Sequence, residues 1–76
     1  MAALTLSDEK LMRAVLEELR WDPEVDPSNI RVEAGSGVVS LYGTVDSYWK
    51  KWAAERAVRR VEGVHAVANE IQVKPR

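Results

Sequence analysis

IRVEAGSGVVSLYGTV, residues 30–45, decides how this chain folds. Ile30, Val32 and Ala34 alternate with Arg31 and Glu33. After them Val39, Leu41, Gly43 and Val45 alternate with Ser40, Tyr42 and Thr44, the period of two that sends successive strand side chains to opposite faces. Gly35-Ser36-Gly37 separates the two runs and leaves room only for a reversal, so the segment reads as an antiparallel hairpin. One of its faces is aliphatic and the other carries charged and hydroxyl groups, so one side needs a cover and the other meets solvent.

The flanking sequence supplies that cover. Upstream, Leu11, Met12, Val15, Leu16 and Leu19 recur at spacings of three and four, the apolar stripe of an amphipathic helix. Ser7 is its expected N-cap, Asp8 and Glu9 suit the positive end of the helix dipole, and Asp22-Pro23 stops it because proline has no N–H to donate. Pro23, Asp26, Pro27 and Ser28 mark residues 23–29 as a connecting loop, and the large ring of Trp21 is expected to be buried, stapling that loop to the core. Downstream, Asp46 or Ser47 caps a second helix expected to run to about Glu62, where Gly63 ends it. Residues 64–74 form the last strand, with Val67, Asn69, Ile71 and Val73 on one face, and the helical crossover sets it parallel to the second strand. The fold class is α+β: a two-layer α/β sandwich of α-β-β-α-β order, two helices packed on one face of a three-stranded mixed sheet, in a single domain over residues 7–74.

Composition narrows function. Seventy-six residues make room for one core, and a 46% apolar share is enough to fill it. There is no cysteine and His65 is the sole histidine, so a nucleophilic triad or a thiolate or histidine-rich metal site has no residues to draw on. No catalytic residue, metal ligand or cofactor is expected, and the chain reads as a non-enzyme; His65 reads as a surface or strand-edge residue. Glu17 and Glu18 point about 100° apart on a helix and read as a solvated face rather than a working carboxylate pair. Gly35-Ser36-Gly37 is followed by a strand, not by the helix N-terminus that a phosphate loop requires. Gly43, within a strand, marks a bulge or a close approach of a helix, and Asn69 on the aliphatic face is expected to be hydrogen-bonded in a structural role that closes the helix-to-strand corner. No basic segment leads into a long apolar one and no stretch could span a membrane. As given, the sequence is expected in the cytoplasm, or in the periplasm or at the envelope if a signal has been removed.

The spacing of residues resembles that of the BON (bacterial OsmY and nodulation) domain. The residues that carry the resemblance are the run from Gly35 to Val45, then Ala53-Ala54-Glu55-Arg56-Ala57, then Val61-Glu62-Gly63-Val64, and Val67-Ala68-Asn69-Glu70-Ile71-Gln72-Val73. The resemblance implies an α/β module that binds phospholipid surfaces or other partners.

Charge is uneven although the total is only −1. Over residues 8–26 seven acids oppose three bases, a local −4, and over residues 48–60 five bases oppose Glu55 alone, a local +4. On the second helix, Ala53, Ala54, Ala57, Val58 and Val61 gather on the inner side. The outer side collects Tyr48, Trp52, Arg56 and Arg59, flanked by Trp49 and Arg60 and by Lys51. This aromatic and cationic stripe is the candidate binding surface. It suits an anionic phospholipid surface, where indoles settle at headgroup depth and the bases attract phosphate. It also suits a protein partner, including a second copy whose acidic first helix would complement it. The plainest alternative is that Trp52 and Arg56, four residues apart, merely stack on each other. Nucleic acid ranks third, after a lipid surface and a protein partner, since the total charge is negative and no Gly-x-x-Gly loop joins two helices.

Overall fold

The computed structural model describes residues 6–75 and has the expected order, with α1 at Leu6–Trp21, β1 at Ile30–Gly35, β2 at Val38–Val45, α2 at Tyr48–Arg59 and β3 at Ala66–Val73. β1 pairs antiparallel with β2, and β2 pairs parallel with β3, giving the sheet order β1-β2-β3. Ser36 and Gly37 alone form the hairpin loop, both at positive φ (53° and 81°), the combination whose twist matches that of the strands. The Ser36 amide donates to the Asp8 carboxylate at 3.0 Å, which ties the loop to the start of α1.

Both helices lie on the aliphatic face, α1 against β1 and α2 against β2 and β3. Leu19, Leu41, Ile71, Val15, Val39 and Val58 are the largest fully buried side chains, and no polar residue is buried among the described residues. Full burial of such a side chain contributes about 1.5–3 kcal/mol. Ala53, Ala54 and Ala57 are buried beneath α2, and their small size lets that helix sit close to the sheet. The other face of the sheet is uncovered and presents Arg31, Glu33, Val38, Ser40, Tyr42, Thr44 and Glu70, with the small Ala66 and Ala68 between them.

Several boundaries differ from the sequence reading. α1 already includes Leu6, the first described residue, so Ser7 is a helical residue and not the cap. Residues 23–29 include a 3-10 turn, Pro27–Asn29, opened by the Asp26 side chain accepting from the Ser28 amide. α2 is capped by Ser47, as one of the two candidates, and stops at Arg59 rather than near Glu62. The Arg60 amide is shared between the carbonyls of Arg56 and Ala57, and Val61 bonds back to Val58, so the ladder tightens from four-residue to three-residue bonds and the helix unwinds there. Gly63 keeps a positive φ of 99° but stands beyond the helix end, and β3 starts at Ala66. Leu16, placed by its spacing on the inner stripe, is left exposed, because the stripe that α1 buries centres on Val15 and Leu19.

Trp21 is the largest departure. Its ring is 76% exposed, and its indole N–H donates to Glu17 one turn back at 3.3 Å. Val25 fills the loop's place in the core instead, being the smaller apolar residue that the turn after Pro23 points inward.

Candidate functional site

Of the residues expected to form the outer stripe, Tyr48, Trp49, Trp52, Arg56, Arg59 and Arg60 are exposed on or at the end of α2, while Lys51 is half-buried. The three rings are 63%, 53% and 57% exposed, in chain order. They cluster in the first half of the helix. Tyr48 and Trp52 lie one turn apart with ring centres at 6.3 Å, tilted by 46°.

The arginines do not extend this cluster as a free cationic surface. Arg60 reaches the Glu18 and Asp22 carboxylates, each at 3.0 Å, Arg56 reaches Glu24 at 3.3 Å, and Arg59 reaches Glu55 at 3.1 Å. Lys50 is held by Asp46 at 2.8 Å. The Ser28 hydroxyl and amide, and more weakly the charge of Lys50, hold the Asp26 carboxyl below its ordinary range. Asp22, Glu24 and Asp26 thus follow α2 backwards, from Arg60 through Arg56 toward Lys50. The two oppositely charged segments of the sequence meet within one fold, where Glu18, Asp22 and Glu24 engage Arg60 and Arg56.

Arg56 stacks, but on Trp49 rather than Trp52, its Cζ lying 4.9 Å from the Trp49 ring centre. Glu24 draws the guanidinium to the side of α2 that faces the loop, where Trp49 sits, and Trp52 turns toward Tyr48 on the other side. On that other side a shallow groove runs along β3, lined by Tyr48, Lys51 and residues 70–74. Next to it in β3, the Asn69 amide donates to the Lys51 carbonyl at 3.1 Å and to the Glu55 carboxylate at 3.2 Å while its oxygen accepts from the Ile71 amide. Asn69 is hydrogen-bonded as expected, but it ties β3 to Lys51 and Glu55 within α2 instead of closing the corner between α2 and β3, because its side chain projects from mid-strand.

His65 is exposed, its ring covers Gly37 and its amide donates to the Gly37 carbonyl at 2.7 Å. The described residues contain no group of three or more carboxylates, histidines and cysteines placed to hold a metal ion, and no helix among them is long and apolar enough to cross a membrane.

The model of the BON domain matches residues 7–75. The chain belongs to the BON domain family. A curated relative of this BON domain, the osmotically-inducible protein Y of Escherichia coli (strain K12), is 40% identical over 57 residues, which cover 75% of the chain and 28% of that protein. Two solved structures of CdsD, a structural protein of the type III secretion system of Chlamydia trachomatis, superpose with TM-scores of 0.72 and 0.75 at 20% identity, over 90% and 91% of the chain and 34% and 32% of theirs. The BON domain described here therefore spans about a third or less of the length of these relatives, and the two structures establish its fold. Family membership points to a binding or interaction module and leaves the ligand open.

Asp22 gives the acidic loop of this BON domain a measurable signature. The Glu24 amide, bonded at 2.9 Å, and next the Arg60 guanidinium hold its carboxyl below the ordinary value of 3.8, against a partial opposing effect of burial. A depressed carboxyl contributes stability that is present above the unfolded value and is lost as pH falls through the folded one. Asp22→Asn keeps an oxygen for the Glu24 amide and removes only the charge. It is expected to lower the urea midpoint modestly at pH 7, and the difference is expected to shrink as pH falls through the depressed folded value of Asp22 and the carboxyl takes up its proton. Equal midpoints at pH 7 would show that the Asp22–Arg60 pair contributes nothing.

Proposed function

We propose that this domain is a docking module for a protein partner, which it grips through the aromatic ridge of Tyr48, Trp49 and Trp52 and the adjoining groove along β3. The observation that carries the reading is the contrast on α2: its rings are open to solvent while Arg56, Arg59 and Arg60 are already paired with carboxylates of the same chain. A helix neutralised in this way has lost most of the charge by which it would attract an anionic bilayer, whereas exposed Trp and Tyr are the side chains that most often anchor protein interfaces. Beside the ridge, β3 is an edge strand of eight residues without proline, and its outward residues Val67, Asn69 and Val73 offer backbone groups to an extended segment of the partner, while the Ile71 amide is already held by the Asn69 side chain.

The second reading is an anionic phospholipid surface. It draws support from Lys51 and Lys74, which flank Tyr48 along the groove and have no salt bridge among the described residues. Each lysine near such a surface adds about 1 kcal/mol of attraction.

Replacing Tyr48 by p-benzoylphenylalanine in the producing cell tests the first reading. Irradiation is expected to give one discrete crosslinked protein, weakened at least about tenfold by Trp52→Ser, the loss typical of an interface anchor. The same product from a probe at Arg31 on the opposite face, or a product indifferent to Trp52→Ser, defeats the proposal. Sedimentation with phosphatidylglycerol vesicles separates the readings. Retention in the supernatant is expected, and salt-sensitive pelleting that Lys51→Glu abolishes would transfer the site to lipid.

A further inference from the structure

The face of the sheet turned away from the helices carries a pattern of charge that fits a second copy of this chain. In register, Arg31 of β1, Tyr42 of β2 and Glu70 of β3 form one row across that face. The Arg31 Cζ lies 4.9 Å from the Tyr42 ring centre. With strands about 4.8 Å apart, the backbones bearing Arg31 and Glu70 stand about 10 Å from each other, on either side of β2. Among the described residues neither side chain has a salt-bridge partner, in contrast to the four paired bases of α2. Toward the hairpin end the face becomes flat and apolar, where Val38, 42% exposed, is flanked in register by Gly35 and Ala66.

We infer that this uncovered face self-associates as a two-fold dimer whose axis lies in the interface, close to the direction of β2. A half-turn about that axis keeps β2 over β2 and lays β1 of each copy over β3 of the other. Arg31 then faces the second copy's Glu70 and Glu70 faces the second copy's Arg31, so these two charges of each chain become two intermolecular pairs, while Glu33, the other acid of this face, gains no cation. Tyr42 meets Tyr42, Val38 meets Val38, and Glu33 lies over Ala68. An axis about 15° from β2 gives the strand crossing of about 30° at which aligned sheets pack. The alternative two-fold, across the strands, lays β1 over β1 and leaves Glu70 without a cation.

Three strands about 14 Å wide and about 20 Å long offer roughly 300 Å² from each copy. A standard stable interface takes about 800 Å² from each, so the dimer is weak, with a dissociation constant on the order of 0.1–1 mM. The surface is separate from the aromatic ridge, so this inference stands or falls independently of the proposed docking.

Sedimentation equilibrium from well below to above that range tests it, with Arg31→Glu and Glu70→Arg measured alone and mixed. Each variant alone sets like charges against each other twice and is expected to dimerise at least about tenfold more weakly, a loss of about 1.4 kcal/mol. The equimolar mixture restores both pairs, since one partner then carries only acids at these positions and the other only bases. It is expected to associate about as well as the original chain. Both positions are exposed, so thermal midpoints in dilute solution should hold; if either reversal unfolds the domain, Arg31→Gln and Glu70→Gln replace them and are each expected to weaken the dimer. Purely monomeric behaviour at the highest concentration, a dimer indifferent to these changes, or a mixture no tighter than its components would overturn the inference.

Discussion

Alanine at position 43 is expected to remove about half or more of the stability of this domain. Gly43 has φ +140°, outside the range that side chains with a Cβ readily adopt, and a Cβ built there would stand 2.0 Å from the Asn29 carbonyl oxygen and 3.3 Å from the Ile30 Cα. Both obstacles are backbone, so no rotamer change relieves them. The Pro27–Asn29 turn must move off β2, which also disturbs the first pair of the hairpin, Ile30 with Gly43. Strained backbone of this kind costs about 1–3 kcal/mol, and the displaced turn adds to it, so we expect a loss of at least about 3 kcal/mol. A domain of this size has a total of roughly 4–11 kcal/mol at its disposal. Urea denaturation followed by circular dichroism should show the midpoint falling by about half or the protein unfolded in buffer. A change below about 1 kcal/mol would mean that the turn can retreat freely.

Truncating Leu41 is expected to have the next largest effect. Leu41 is fully buried on the central strand, among the core residues Val39, Ile71 and Val58. Leu41→Ala removes that burial and leaves a cavity that close-packed neighbours fill only in part, a change that costs about 2–5 kcal/mol. Val38, on the uncovered face of the same strand, provides the contrast. In dilute solution Val38→Ala is expected to change stability by no more than about 0.5 kcal/mol. The same denaturation measurement decides both, and a larger cost at position 38 than at 41 would mean that the faces of β2 are reversed.

That contrast was legible in residues 30–45, because a period of two leaves no other way to bury Val39 and Leu41 together. Asn69 was legible in the same manner, as a polar group at an aliphatic position that must find partners. Gly43 was legible only in kind: the glycine signalled a close approach, and the structure supplies the Asn29 carbonyl as the group that approaches. The stripe of Tyr48, Trp49, Trp52 and the arginines followed from helical spacing. The condition of those arginines did not, since Glu18 and Asp22 are 42 and 38 residues from Arg60, and Glu24 is 32 from Arg56.

The sequence by itself determined the order of elements, the buried and open faces and the hairpin loop, because each rests on local periodicity and turn chemistry. Only the tertiary structure decided that Arg60 and Arg56 reach Glu18, Asp22 and Glu24, that Arg56 lies on Trp49 instead of Trp52, that Trp21 stands in solvent, and that Arg31 and Glu70 share a row without meeting. The physical reason is one of range. Periodicity tells a side chain which way to point relative to its own backbone. Which carboxylate a guanidinium reaches, or which ring it covers, depends on where a second segment is docked, and packing of α1 and α2 on the sheet sets that position.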